Sequence, residues 1–338
     1  MKQLFNPTNL LTTAPRFPRR QFIHLRLPTR LLLMVLATPF WAQSPAPPAP
    51  PAPRSIFENV PAESRTVYEA AAIRLWPNRA PMAFGDAAPD TPLLYPVLPP
   101  KSAKPVGAVI VLPGGGYTYH AAHEAFPIAE HFRAAGLATF VLKYRLAPYF
   151  PAVSLLDAQR AVRLLRARAS EFGIDPSRIA VIGFSAGGHL AANLSTHADD
   201  GRPDATDPVD RQSCRLQSAM LIYPSLIYGP LSRDRAADRA LPGILKLAGL
   251  HEVVDAKTPP TFLLVGYDDD RTPYENCLAY AAKLHEAGVR FELHILGTGG
   301  HGFGLGQRDS RLQVWPPLAV NWLETCAFLP VPAVAGPR

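Results

Sequence analysis

A regular alternation of short apolar segments and longer helical patterns constrains the fold more than any other feature of the sequence. The apolar segments are rich in Val, Ile, Leu and aromatic residues, and several of them show no polar–apolar alternation. They cover residues 108–112, 138–144, 178–184, 218–224, 261–267 and 291–296. Apolar runs of this kind are typical of strands that are buried on both faces. The helical patterns between them cover 123–135, 154–170, 186–197 and 274–287. This order predicts an α/β fold in which helices cover both faces of a mostly parallel central sheet.

The alternation is less regular in two places. The segments 69–77 and 92–99 are candidates for additional strands at one edge of the sheet. Residues 226–257 interrupt the strand–helix order and predict a small insertion over the C-terminal edge of the sheet. We therefore expect one folded domain over residues 66–330 that contains this insertion.

The first 43 residues predict a signal peptide. A basic stretch over residues 1–30 precedes the apolar run "LLLMVLATPFWA", which is shorter than the roughly 20 residues that a membrane-spanning helix needs. Small residues near 42–44 offer a cleavage zone. The pattern predicts export to the periplasm or the extracellular space, and an uncleaved N-terminal anchor is the alternative.

Two export routes fit this segment. The run Arg19–Ile23, "RRQFI", resembles a twin-arginine signal. Arg26 and Arg30 still intervene before the apolar run begins, which favours Sec-type export over twin-arginine export.

Residues 44–65 predict a proline-rich linker. The run "SPAPPAPPAPR" at its start favours extended polyproline geometry and cannot form a hydrophobic core.

The net charge argues against a nucleic-acid partner. The chain has 34 basic and 27 acidic residues, but six of the basic ones and none of the acidic ones lie in residues 1–43. The remainder has 28 basic and 27 acidic residues, which is not the basic excess that phosphate-backbone binding favours. The arginines at positions 160, 163, 166 and 168 are predicted to lie mostly on the solvated side of a helix.

The three cysteines, Cys214, Cys277 and Cys326, have no metal-binding spacing and do not indicate a disulfide scaffold. In an oxidising compartment they allow one disulfide and leave one free thiol, and the sequence does not select the pair.

The sequence "GFSAG" over residues 183–187 fits the G-x-S-x-G pattern of a nucleophile elbow. It lies between a predicted strand and a predicted helix, which is the context that gives the pattern its meaning. The glycines on either side let the backbone turn sharply, so that the hydroxyl of Ser185 is held above the sheet. An ordinary glycine-rich turn is the alternative for this motif taken alone.

A serine nucleophile needs a histidine base that a carboxylate orients. His301 lies in the glycine-rich run "GGHGFG", and three adjacent aspartates, Asp268, Asp269 and Asp270, follow an earlier strand. Both loops come after strands whose C-terminal ends meet at one edge of a parallel sheet. We therefore predict that His301 is the base, while the residue pattern does not rank the three aspartates.

An oxyanion hole completes this chemistry. The loop "PGGGYTY" follows the 108–112 strand, and the expected donors are the backbone N–H groups of Gly115 or Gly116 and of Ala186. A phosphate-binding loop is the alternative, but this segment contains neither of the glycine patterns that are typical of such loops. Tyr117 and Tyr119 follow the glycines and are candidates for the substrate pocket, with core packing as their alternative role.

The motifs together resemble the α/β-hydrolase superfamily over roughly residues 70–327. They are "VLPGGGY", "YRLAP", "DAQRAVRLLR", "DPSRIAVIGFSAGGHLAA", "LIYP" and "GGHGFGL". The chain looks most like the acetylxylan-esterase-like branch near the hormone-sensitive-lipase-like esterases. In that family an Asp precedes a Val-Pro pair by three residues. Thr272-Pro273 stands at this place here, so the resemblance maps the acid to Asp269 and leaves Asp268 as second choice.

The resemblance implies a serine esterase that uses no metal and no cofactor and acts on small-molecule or carbohydrate esters. We expect an exported enzyme that cleaves short-chain esters, above all acetyl groups on carbohydrate, through an acyl-enzyme. The alternatives are a general carboxylesterase or lipase-like enzyme, a serine peptidase of the same fold, and a non-enzymatic binding module. We expect no nucleic-acid partner and no stable membrane insertion once the signal is removed.

Overall fold

The computed structural model describes residues 55–58, 60–226 and 249–329. Its strands, numbered along the chain, are β1 Ile73–Arg74, β2 Leu93–Val97, β3 Val106–Leu112, β4 Ala138–Lys143, β5 Ile174–Phe184, β6 Ser218–Ile222, β7 Thr261–Gly266 and β8 Phe291–Leu296. They form one 8-stranded sheet in the order β1-β2-β4-β3-β5-β6-β7-β8. The β1–β2 and β2–β4 pairs are antiparallel and the other pairs are parallel. The predicted α/β fold with a mostly parallel sheet is confirmed.

The α-helices of the same residues are α1 Ala62–Ala70, α2 Phe126–Ala134, α3 Pro151–Ala167, α4 Ala169–Phe172, α5 Ala186–Thr196, α6 Glu275–Glu286 and α7 Trp315–Thr325. The predicted helix at 123 begins three residues later because Ala122–Glu124 forms a 3₁₀ turn. Helices α1 and α7 were not predicted. Prolines at the second and third positions of α7 are a typical helix-start signal.

The central strands are mostly apolar because helices and neighbouring strands cover them. Every residue of β6 and β7 is buried, whereas β8 at the edge of the sheet is mostly half-buried. Continuous apolar runs therefore mark the strands that lie in the middle of the sheet.

The strand order fixes where a site can form. The chain leaves β3 towards β4 on one side, and it leaves β5, the other neighbour of β3, towards β6 on the opposite side. The C-terminal ends of β3 and β5 therefore border a topological switch point, where open α/β sheets have a crevice. The loop after β3 carries the three glycines, and the turn after β5 carries Ser185.

The folded domain begins before the predicted start at residue 66. Ile56 and Phe57 are buried, and α1 begins at Ala62 inside the predicted linker 44–65. The ring of Phe57 stacks on Phe126 of α2 with 4.9 Å between centroids. A few apolar residues directly after a proline-rich run are enough to attach this segment to the core.

Other predictions for the chain's organisation lie outside the described residues. They concern the signal peptide over 1–43, the linker over 44–54 and most of the insertion over 226–257. Of the insertion, Leu226 is buried and Leu250–Val253 forms a 3₁₀ turn. The three cysteines are free and buried in the described structure.

The prediction that the arginines of α3 are solvated is wrong for two of them. Arg160 is 4% exposed and Arg163 is 8% exposed. Arg160 binds Asp207 at 2.6 Å and Asp210 at 2.7 Å, and Arg163 binds Asp199. The acidic loop after α5 folds over α3, so these charges hold the loop to the helix.

Candidate active site

Ser185 occupies a strained turn between β5 and α5. Its backbone has φ 51° and ψ −115°, a conformation that non-glycine residues rarely adopt and that is found at functional sites. The Ser185 N–H donates to the carbonyl of Ile222 at 3.0 Å. A Cβ atom at Gly183 would lie 2.2 Å from the Gly187 oxygen, and one at Gly187 would lie 2.0 Å from the Leu112 oxygen. The two glycines of the motif are therefore required by close backbone approach.

Three predicted site residues form a chain of hydrogen bonds. His301 Nε2 lies 2.8 Å from Ser185 Oγ, and His301 Nδ1 lies 2.8 Å from Asp269 Oδ2. The His301 side chain is 15% exposed and that of Asp269 is fully buried. Such an arrangement lets the imidazole accept the serine proton while the carboxylate fixes the orientation of the ring.

The three aspartates have different surroundings. Asp269 is buried and reaches His301, whereas Asp268 is exposed and accepts a hydrogen bond from the Gly300 N–H at 2.7 Å. Asp270 is exposed. Asp269 is therefore the carboxylate that contacts the histidine, while Asp268 supports the backbone of the loop that carries it.

The neighbours of Asp269 keep it charged. Burial by itself would raise the pKa of Asp269, but hydrogen bonds from His301 and Thr272 outweigh it and hold the pKa below its usual value. Asp269 Oδ1 accepts from the N–H groups of Arg271 at 2.9 Å and of Thr272 at 2.8 Å. The Thr272 hydroxyl lies 2.9 Å from Asp269 Oδ2 and 3.0 Å from the Tyr223 carbonyl. A threonine in place of the family's valine thus adds a polar contact to the carboxylate.

The predicted oxyanion donors line the same cavity as Ser185. This cavity has a volume of about 670 Å³, and Gly115, Gly116 and Ala186 are among its lining residues. Ala186 is the first residue of α5, so its N–H has no acceptor within the helix. Gly115 has φ +117°, and a Cβ atom there would lie 2.1 Å from the Tyr119 oxygen. The loop can therefore approach a bound carbonyl with backbone alone.

A buried carboxylate holds this loop. Glu124 is 2% exposed, and its Oε2 accepts from the Gly114 N–H at 2.8 Å. The Tyr223 hydroxyl donates to Glu124 Oε1 at 2.8 Å and accepts from the Gly304 N–H at 3.1 Å. The glycine loop and the histidine loop are thereby joined through two buried side chains.

Sequence reasoning missed Tyr223 and His123. Tyr223 directly follows β6 and packs edge-on against the His301 ring at 5.1 Å between centroids. The sequence offered one signal for Tyr223. It lies at the end of a predicted strand, and the residues at the C-terminal ends of parallel strands meet at the sheet edge where the other site residues lie. His123 Nε2 lies 3.0 Å from the Gly302 carbonyl, and the neighbouring Glu124 raises the His123 pKa. No local pattern distinguishes His123 from other histidines of the chain.

The two tyrosines after the glycines differ in role. Tyr117 is fully buried, and its hydroxyl lies 2.8 Å from His189 Nδ1. The prediction that Tyr117 lines the substrate pocket is wrong, because its ring is packed in the core. Its backbone has a positive φ of 59°. Tyr119 is half-buried and lines the cavity above Ser185.

A second cavity adjoins the first. It has a volume of about 1000 Å³ and is lined by the segments 119–123 and 298–309, together with Glu58, Pro127, Asp268 and Leu312. Tyr119, Ala121, His123, His301 and Gly302 line both cavities. The space at the sheet edge thus extends well beyond the serine.

The described ranges contain no group of three or more His, Cys, Asp and Glu side chains that could hold a metal ion. None of the helices in those ranges is long and apolar enough to cross a bilayer.

Two family models match the chain. One, described as BD-FAE, matches residues 95–220, and the other, described as the Prolyl oligopeptidase family, matches residues 238–327. The first match contains the glycine loop and Ser185, and the second contains Asp269 and His301.

Several individual proteins are similar to this chain in sequence or structure. The crystal structure of an acetyl ester-xyloside bifunctional hydrolase from Caldicellulosiruptor lactoaceticus has a TM-score of 0.70 and 40% identity, and the match covers 76% of this chain and 97% of that one. Endo-1,4-beta-xylanase B from Butyrivibrio fibrisolvens is 31% identical over 57% of this chain, and acetylxylan esterase from Xylanibacter ruminicola is 27% identical over 64% of it. The chain covers 32% and 45% of the lengths of these two curated relatives.

Proposed function

Because this chain belongs to the α/β-hydrolase superfamily, we propose that it is an exported serine esterase that removes acetyl or other short acyl groups from carbohydrate. The observation that carries the proposal is the hydrogen-bonded chain from Ser185 Oγ through His301 to Asp269. The similarity to an acetylxylan esterase and to an acetyl ester-xyloside hydrolase supports the choice of acetylated sugar.

In the proposed reaction, Ser185 Oγ attacks the ester carbonyl and its proton passes to His301 Nε2. Asp269 holds the Nδ1–H of the ring and stabilises the imidazolium. The N–H groups of Ala186 and of Gly115 or Gly116 stabilise the oxyanion. His301 then gives the proton to the leaving alcohol oxygen, and the C–O bond to the alcohol breaks. A water molecule, deprotonated by His301, then attacks the acyl-enzyme. The bond between the acyl carbon and Ser185 Oγ breaks, His301 returns the proton to Oγ, and the acid is released.

The test of this mechanism is the Ser185→Ala variant with p-nitrophenyl acetate. We expect kcat to fall by several orders of magnitude, because triad members act as a unit. A fluorophosphonate probe should label the parent protein and not the variant. Hydrolysis by the variant at the parental rate would defeat the proposal, and a folded parent that takes no label would point to a binding module.

The acyl preference is tested with a series of p-nitrophenyl esters below their micelle concentrations. We expect kcat/KM to be highest for acetyl or butyryl and to fall for octanoyl, and acetylated xylan to release acetate. A pocket for long chains would gain up to roughly 0.8 kcal/mol for each methylene group that it buries. A maximum at octanoyl would instead indicate a lipase-like enzyme.

A serine peptidase is the second candidate, since residues 238–327 match the Prolyl oligopeptidase family. The same triad cleaves amides, so chromogenic dipeptide amides are the appropriate substrates. We expect their kcat/KM to lie far below that of p-nitrophenyl acetate, and the reverse order would favour the peptidase.

Export is proposed from the basic and apolar sequence of residues 1–43. The measurement is N-terminal sequencing of the protein from the periplasmic fraction and the medium. We expect a new N-terminus near residues 42–44. A protein that retains Met1 and stays in the cytoplasm would contradict export.

A further inference from the structure

The second cavity is lined by His301 but not by Ser185, whereas the first cavity is lined by both residues. The first cavity also contains the predicted oxyanion donors Gly115, Gly116 and Ala186. The second cavity therefore adjoins the first at His301 and continues from there without contacting the serine.

We propose that the second cavity is the binding site for the alcohol part of the substrate, and that it accommodates a short oligosaccharide. This inference rests on the proposed esterase function. In ester cleavage the leaving oxygen takes its proton from His301 Nε2, so the alcohol must lie on the histidine side of the scissile bond. The carbonyl and the acyl group stay beside Ser185 and the glycine loop. The space that continues past His301 is then where the remainder of the alcohol extends.

The lining of this cavity suits hydroxyl groups. Asp268, Gln307 and Arg308 are among its lining residues, and residues of these types together offer both hydrogen-bond acceptors and donors. Gln307 and Arg308 are exposed. Among the described residues, neither side chain makes a hydrogen bond or an ion pair in the protein, so both are available to a ligand. Tyr119, at the border between the cavities, adds an aromatic surface.

The size of the cavity argues against a simple alcohol. Sites of roughly 300–1000 Å³ enclose drug-sized ligands, and this cavity has about 1000 Å³ in addition to the space above the serine. Ethanol or methanol would leave most of it unfilled. A chain of a few sugar units would use both its volume and its polar side chains.

The experiment compares two substrates in the Gln307→Ala/Arg308→Ala double variant. The measured quantity is the ratio of kcat/KM for acetylated xylotriose to kcat/KM for p-nitrophenyl acetate. We expect this ratio to fall about tenfold relative to the parent, mainly through KM for the sugar ester, because two hydrogen bonds to hydroxyl groups are lost. Arg202→Ala removes an exposed arginine that lines neither cavity, and it should keep the parental ratio.

A binding measurement separates this inference from the proposed chemistry. Xylotriose is titrated calorimetrically into the Ser185→Ala protein, with and without the Gln307→Ala/Arg308→Ala changes, and the Kd should rise about tenfold with them. Equal Kd values and an unchanged substrate ratio would overturn the assignment of the cavity while the esterase proposal stands. A folded parent without activity on p-nitrophenyl acetate would defeat the proposed function. The roughly tenfold difference in Kd for xylotriose would still support the cavity as a sugar site in that case, and equal Kd values would overturn it.

Discussion

Replacing Tyr223 by Phe tests whether the buried link between the glycine loop and the histidine loop matters. The change removes one hydroxyl and preserves the shape of the ring. In the parent this hydroxyl donates to Glu124 Oε1 at 2.8 Å and accepts from the Gly304 N–H at 3.1 Å. Without it, the Gly304 N–H loses this acceptor, and Glu124 Oε1 retains His123 Nε2 at 3.5 Å.

The magnitude follows from burial. Tyr223 is fully buried and Glu124 is 2% exposed, so water cannot replace the lost contacts without a rearrangement. A hydrogen bond to a charged group contributes about 1.5–3 kcal/mol, and an unpaired buried N–H costs about 1–3 kcal/mol. Because the two effects overlap, we expect the free energy of unfolding to fall by about 3 kcal/mol. The histidine loop loses its anchor at the same time, and a misplacement of His301 could lower kcat by up to roughly 100-fold.

The assay is urea unfolding followed by fluorescence, together with steady-state kinetics on p-nitrophenyl acetate. We expect kcat to fall more than KM changes, because the anchor positions the histidine and does not contact the substrate. Tyr68→Phe is the matched control, since its hydroxyl donates to the partly exposed Glu130, and it should cost no more than about 1 kcal/mol. If Tyr223→Phe has the parental unfolding midpoint and a kcat within twofold of the parent, the reasoning about this link is refuted.

Three further predictions concern single residues. Asp269→Asn should lower kcat on p-nitrophenyl acetate by roughly 10³–10⁴-fold. Asp268→Asn keeps an acceptor for the Gly300 N–H, so its kcat should stay within about tenfold of the parent. Equal losses of kcat in the two variants would contradict the assignment of Asp269. Gly187→Ala should destabilise the protein by about 3 kcal/mol or more in urea unfolding, since its Cβ would lie 2.0 Å from a backbone oxygen. Gly288→Ala, at φ +70° with no atom within 4 Å of the added Cβ, should cost only about 1 kcal/mol. Burial lowers the pKa of His120 to about 3, while an unfolded histidine titrates near 6.5. The unfolded chain therefore binds the proton at a higher pH than the folded protein does. The free energy of unfolding should fall by up to about 1.4 kcal/mol per pH unit as the pH is lowered from 6.5 towards 3. His120→Phe should show a smaller loss between pH 7 and 5, and an equal loss would rule out this residue as a cause.

The sequence by itself determined the strands of the central sheet and the elbow. Both are local signals: a strand covered on two faces is apolar at most of its positions, and a strand-to-helix turn of this sharpness needs glycines two residues before and after its serine. Ser185 could be chosen from five residues for that reason. The prediction of His301 as the base rests on its glycine-rich loop after a strand, and it needs only the rule that parallel strands end at one edge of the sheet.

The tertiary structure decided which side chains meet. Asp268 and Asp269 are neighbours with the same chemistry, and only the path of the loop after β7 directs one to His301 and the other to Gly300. Tyr117 and Tyr119 likewise lie two residues apart, yet one is in the core and the other lines the cavities.

The remaining differences have the same origin. Arg160 is buried because a loop about 50 residues further along the chain folds over α3 and supplies Asp207 and Asp210. Tyr223 lies at the centre of the site because its hydroxyl meets Glu124, which is 99 residues away in the sequence. Periodicity and turn chemistry depend on a few adjacent residues and can be recognised locally. The partner of a side chain depends on how distant segments pack, and no short stretch of sequence contains that information.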